Sequence, residues 1–217
     1  MRKEFEHELK QLEVSFIDMS RMAYYSLEDA ISAFKKQNIE LAKSIILSDQ
    51  EINQQEIDIE LTCARVLALQ QPVVTDLRLV ISIMKACSDL ERIGDHAASI
   101  AKSVVKLEHH QSYDKIEAEI VAMADLVLDM LKRLAAAFQN RDEKEARAIS
   151  LIDSEVDSYM KAISKLNLTE MQANQDMILV GTQYRSIARH LARIADYTTN
   201  VCERIVYIQT GHLVEFD

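Results

Sequence analysis

Apolar side chains recur along this chain at alternating steps of three and four. Val80, Ile83, Cys87, Leu90, Gly94, Ala97, Ala101 and Val104 keep that rhythm without a break. Such steps follow a helix of 3.6 residues per turn, so the series predicts one long helix with a continuous buried seam. Tyr184, Ala188, Leu191, Ala195, Thr198, Cys202 and Ile205 predict a second. Strand-like alternation never persists beyond a few residues. Polar breaks at Gln37-Asn38, Gln71-Pro72, His109 to Tyr113, Asn140-Arg141 and Asn167 to Asn174 leave six helices. They are placed near residues 5–36, 39–70, 73–107, 113–139, 142–168 and 173–209. Pro72 is read as a helix start, where its missing N–H costs nothing, with Thr75 and Asp76 as capping candidates.

The pattern also repeats. Phe34 to Ala42 matches Phe138 to Ala146, each a helix end, a polar turn and a new start. Asp49-Gln-Glu-Ile-Asn53 matches Asp153-Ser-Glu-Val-Asp157 at the same offset. Asp89-Leu-Glu-Arg-Ile-Gly-Asp-His96 matches His190-Leu-Ala-Arg-Ile-Ala-Asp-Tyr197, with the offset slightly shortened. A unit of about a hundred residues is a duplicated small domain, too long for a solenoid repeat. Long helices with short connections pack as antiparallel bundles. The expectation is therefore an all-α protein of two tandem three-helix bundles, residues 1–109 and 113–217.

Composition narrows the function. Only three Gly and one Pro occur in 217 residues, which fits long helices with few turns. A net charge of −10 argues against a nucleic-acid surface and against docking on an anionic leaflet. No apolar run approaches the roughly 20 residues of a membrane span, and the charged start MRKEFEHELKQLE lacks the apolar core expected of a signal peptide. Cys63, Cys87 and Cys202 read as small buried side chains in a reducing compartment, so the expected location is the cytoplasm.

Carboxylates stand where the seams call for apolar residues. In helix 2 the series Ile45, Asp49, Ile52, Glu56, Ile59, Cys63, Val66 holds two acids, and in helix 3 Leu77, Ile81, Met84, Ser88, Glu91, Asp95, Ala98 holds two more. Glu56 with Glu60, and Glu91 with Asp95, each project from one helix face. Converging acids repel unless a cation lies between them, and all-oxygen ligation suits Mg²⁺, Ca²⁺, Mn²⁺ or iron. Otherwise the acids line a solvated groove or pair with Arg65, Arg78 and Arg92. Glu4-x-x-His7 has the spacing of a di-iron ligand pair but stands alone, and His109-His110 reads as loop. No phosphate-binding, dinucleotide-binding, nucleophile-elbow or zinc-protease motif occurs, so the chain is read as a non-enzyme.

The run Pro72-Val-Val-Thr-Asp-Leu-Arg-Leu-Val80 followed by Asp89 to His96 resembles the first-repeat signature of the PhoU family of phosphate-transport regulators. Leu191-Ala-Arg-Ile-Ala-Asp-Tyr-Thr-Thr-Asn-Val-Cys-Glu203 resembles its second, and Tyr207-Ile-Gln-Thr-Gly211 its ending. The resemblance spans essentially the whole chain. It implies a cytoplasmic homodimer that restrains the phosphate-starvation response through the phosphate ABC transporter's ATP-binding subunit and a sensor histidine kinase. It also implies a divalent metal or iron cluster on E/D-x-x-x-D motifs, which map onto Glu56, Glu60, Glu91 and Asp95. In the second copy these become Met160, Ser164, Ala192 and Asp196, so any metal is expected in the first copy alone. The rival reading is a carboxylate-bridged metal-binding protein or metalloenzyme using those acids.

Overall fold

The computed structural model describes residues 2–216. They form seven helices: α1 (Arg2–Lys36), α2 (Ile39–Gln70), α3 (Thr75–Lys106), α4 (Asp114–Asn140), α5 (Glu143–Ser150), α6 (Asp153–Ala173) and α7 (Met177–Thr210). Helices α1, α2 and α3 pack on one another, as do α4, α5–α6 and α7, giving two three-helix bundles in tandem.

The duplication is visible in the local chemistry of the turns. The N–H of Gln37 reaches back to the carbonyl of Phe34, and that of Asn38 to Ala33. The N–H of Arg141 likewise bonds Phe138, and that of Asp142 bonds Ala137. Both pairs close the ends of their helices in one double-bonded cap. Gln37 and Arg141 take positive φ there, 51° and 52°, at a position glycine usually fills. The next residue then starts the following helix. Asn38 Oδ1 accepts from the Leu41 N–H at 3.1 Å, and Asp142 Oδ1 from those of Lys144 and Glu145.

Three expectations need correction. The helix placed over 142–168 comes as α5 and α6, separated by Leu151 and Ile152. Both residues keep helical dihedrals, but the Ile152 N–H bonds back three residues to Ile149, so one turn is tightened rather than a loop inserted. The rod then runs on to Ala173, past Asn167, which is buried and donates to the Gly181 carbonyl at 2.6 Å. Third, α3 starts at Thr75 and leaves Pro72 in the connection. Its N-cap is Val74, at φ 46° and ψ −103°, with no side-chain cap from Thr75 or Asp76. A positive φ is strained for a β-branched residue.

The two bundles share one core. Buried apolar residues of both copies form a single continuous cluster. The most extensive helix contact joins α3 to α7 across the copies. These helices run antiparallel, since His96 meets His190 while Asp89 meets Asn200. Alongside, α1 meets α4 through Phe16 on Phe138, with ring centroids 4.2 Å apart, and through Arg141 on Glu13 at 2.6 Å. Gly94 is where α2 comes closest to α3: a Cβ there would lie 2.9 Å from Ile52 Cδ1. Tyr184 anchors α7, its buried hydroxyl donating to Glu117 and accepting from the Tyr113 N–H at 3.3 Å. No helix among the described residues is long and apolar enough to cross a membrane.

Candidate functional site

Two acidic clusters lie at equivalent places in the two copies. In the first, α2 and α3 bring Asp49, Glu56, Glu91 and Asp95 within electrostatic reach of one another. Burial raises the pKa of Asp49, and the neighbouring Asp95 carboxylate raises it further. Glu91 is raised by burial and by Asp95, with Arg92 acting the other way. Asp49 Oδ1 and Asn53 Oδ1 are buried without a hydrogen-bond partner. Oxygens in that position cost stability unless a donor or cation satisfies them. Arg92 sits at the rim, 3.5 Å from Glu91 and 3.6 Å from Asp95, and is itself mostly exposed.

Sequence reading placed Glu60 in this set, but the structure leaves it exposed, on the α2 side facing Cys63. Asp49 takes its place. Glu60 stands one turn beyond Glu56, and its charge acts on the Cys63 and Cys87 thiols rather than on Asp49 or Glu91. Of the arginines considered as alternative partners, only Arg92 reaches the acids. Arg65 reaches Glu8 at 3.9 Å, and Arg78 lies against Gly211.

The second cluster was missed. Asp153 and Asp157 on α6 face Asp196 on α7, and the pKa of Asp153 is pushed up to about 6 by burial, Asp196 and Asp157. Asp196 is raised by burial, with Arg193 opposing at 3.2 Å. Asp153, Asp157 and Asp196 are the repeat counterparts of Asp49, Asn53 and Asp95, and Arg193 is that of Arg92. At the four positions named from the sequence the second copy keeps Asp196 alone, but it also keeps Asp153 opposite Asp49 and gains Asp157 where the first copy has Asn53, so its cluster holds three acids. The signal was present in the match between Asp49 to Asn53 and Asp153 to Asp157.

As the side chains stand, no three His, Cys, Asp or Glu among the described residues gather tightly enough to enclose a metal ion. The donors present are oxygens, which suit a hard cation, and the two unpartnered buried oxygens are what such an ion would satisfy. The cysteines take no part. Burial holds the Cys63 thiol up at about 12 and pushes Cys87 and Cys202 up as well, so all three stay protonated and unreactive.

Between the clusters, where α3 meets α7, the His96 and His190 rings face each other with Nδ1 to Nδ1 at 2.9 Å. Tyr197 stacks on His96. Burial lowers both imidazole pKa values, that of His190 to about 4, with His96, Arg189 and Lys102 adding to the effect. One ring donates and the other accepts, so the pair carries at most one shared proton.

Known proteins match this arrangement from end to end. The PhoU domain model matches twice, over residues 16–104 and 120–205. The phosphate-specific transport system accessory protein PhoU homolog of Streptococcus pneumoniae serotype 4 is 45% identical over 217 residues, covering 100% of both chains. The phosphate-specific transport system accessory protein PhoU of Escherichia coli strain K12 is 32% identical, over 96% of this chain and 86% of that one. The crystal structure of the phosphate transport system regulatory protein PhoU from Streptococcus pneumoniae superposes with a TM-score of 0.91 at 44% identity, over 97% of this chain and 99% of that one. PhoU from Pseudomonas aeruginosa gives 0.92 at 30% identity, over 96% and 100%. With two family domains, matching helices and full-length relatives, this chain belongs to the PhoU family.

Proposed function

We propose that this chain is a cytoplasmic regulator of a phosphate transport system, one that holds the phosphate-starvation response off while phosphate is plentiful. It acts as a homodimeric adaptor, binding the transporter's ATP-binding subunit and a sensor histidine kinase, and is not an enzyme. The observation that carries the reading is the full-length, two-copy match to proteins named as phosphate transport accessory proteins. The surface agrees with it. Leu69, Val73 and Val74 stand largely exposed at the α2–α3 connection, and Leu168, Ile178 and Leu179 at the matching α6–α7 connection. The two patches occupy equivalent places in the two bundles, which the antiparallel α3–α7 packing sets at opposite ends of the molecule, and exposed apolar groups of this kind suit docking against partners.

Purified transporter ATP-binding subunit, titrated against the full chain, tests the adaptor role. A saturable complex that Val73→Asp with Leu179→Asp weakens at least tenfold is expected. Failure to bind, with the chain folded, would remove the ATP-binding subunit as a partner.

We further propose that the acidic clusters of both copies hold hard divalent cations or iron, through Asp49, Glu56, Glu91 and Asp95 in the first and Asp153, Asp157 and Asp196 in the second. The unpartnered Asp49 and Asn53 oxygens favour this reading. A bound cation would neutralise the repulsion and fix α2 against α3, and α6 against α7. Metal content by mass spectrometry checks it: Asp49→Asn with Asp95→Asn should halve the metal bound, and unchanged content would refute the assignment.

A further inference from the structure

We propose that a groove at the junction of α3, α6 and α7 is a binding site for a phosphoryl oxyanion. The groove encloses about 430 Å³ and is lined by Lys106, Met160, Thr182, Gln183, Arg185, Ser186 and Arg189. No carboxylate lines it, although acids outnumber Lys and Arg by 35 to 25 in the chain. Thr182, Arg185, Ser186 and Arg189 are spaced three and four apart, so α7 presents all four from one face. Lys106, at the end of α3, closes the groove from the other copy.

The three cations are free to bind. Among the described residues, Lys106, Arg185 and Arg189 form no salt bridge and no side-chain hydrogen bond, whereas Arg92, Arg133, Arg141, Arg147 and Arg193 all pair with acids. Lys102 stands one turn before Lys106 on α3, adding to the positive field that also reaches His190. Two guanidinium forks and an ammonium match a phosphoryl group, whose oxygens accept paired N–H bonds from arginine. The Ser186 hydroxyl is a further donor.

Comparison of the copies shows that the site is particular to the second. Its counterpart in the first is a groove of about 100 Å³ lined by Ile81, Ser82, Lys85, Arg204, Tyr207 and Leu213. There Ile81, Ser82 and Lys85 stand at the register of Thr182, Gln183 and Ser186, and Tyr207 at that of Lys106. Where the second copy has Arg185, Arg189 and Met160, the first has Met84, Ser88 and Glu56. Thus three cations (Lys106, Arg185 and Arg189) line the second copy's groove against two (Lys85 and Arg204) in the first, the acid at Glu56 is replaced by Met160, and the first groove is nearly filled, partly by Leu213 of the C-terminal segment. This assignment stands on the groove's chemistry and does not depend on the regulatory reading.

Orthophosphate and a phosphate ester share this chemistry, and separate calorimetric titrations distinguish them. The full chain, stripped of metal with a chelator so that no cation at the acidic clusters recruits phosphate, is titrated at low salt with orthophosphate and, separately, with ATP. Saturable binding of one or both is expected, and the tighter arm names the source. Arg185→Gln with Arg189→Gln should weaken it at least tenfold, and Lys106→Gln should weaken it in the same direction. Arg21→Gln, on the far surface of α1, should leave it unchanged. These side chains are exposed, so the variants should fold, which circular dichroism checks. Two results would overturn the site: neither ligand binding up to about 10 mM, beyond even a weak millimolar affinity, or undiminished binding in the double arginine variant.

Discussion

Replacing Asp153 by Asn should stabilise this protein at neutral pH when metal is absent. The folded chain holds the Asp153 carboxyl at about 6 against an ordinary 3.8, through burial and the charges of Asp196 and Asp157. A shift of about two units corresponds to about 3 kcal/mol at 1.36 kcal/mol per unit. Asp153 is only partly buried, and screening by water reduces this to about 1 kcal/mol. A gain of that size raises the melting temperature of a chain this long by about 2–4 °C. The sign follows from linkage. A carboxyl with a raised folded pKa disfavours the folded state above that pKa, and the penalty fades as pH falls from about 6 toward 3.8. The advantage of Asp153→Asn should therefore be full at pH 7.5 and mostly gone near pH 4. Thermal melts followed by circular dichroism, in chelator at both pH values, check this. Saturating Mn²⁺ should then narrow or reverse the order, because a cation that binds only the folded parent stabilises it increasingly, as the logarithm of free Mn²⁺ over its dissociation constant. A variant that melts below the parent at pH 7.5 in chelator would show that the cluster is not repulsive.

Three further outcomes follow from the packing. Tyr184→Phe removes the hydroxyl that serves both Glu117 and the Tyr113 N–H, and should cost about 1–3 kcal/mol in urea unfolding. Val74→Gly relieves a positive φ at a β-branched residue and should raise the melting temperature, although added freedom in the unfolded chain offsets part of the gain. His190→Asn should flatten the loss of stability on acidification: with its folded pKa near 4, His190 favours the folded state above about 6.5, and that contribution is lost as pH falls toward 4. Urea titrations at pH 7 and 4.5 would show it, and an unchanged slope would contradict it.

The legible parts of this molecule were those that local chemistry dictates. Asn38, and Asn140-Arg141 just before Asp142, mark helix boundaries because a side-chain cap or a left-handed residue sits there. The seams of α3 and α7 were readable because almost every member is fully buried. The tightened turn at Leu151–Ile152 was not, because no Gly or Pro marks it and both residues keep helical dihedrals. Pro72 misled for a related reason: it permits a helix start without compelling one, and the chain spends Val73 and Val74 outside the helix. At the site, the acids that break the apolar series were the right signal. Spacing along one helix picked Glu60 over Asp49, since the choice depends on how α2 rotates against α3. The His96–His190 contact spans 94 residues and arises from antiparallel α3–α7 packing, which no local pattern encodes.

The regulatory claim is tested most directly in cells grown with abundant phosphate, carrying a phosphate-starvation reporter, with and without this chain. The account predicts that the reporter switches on when the chain is lost and is silenced when it is restored. A reporter that stays silent, with phosphate uptake also unchanged, would contradict it.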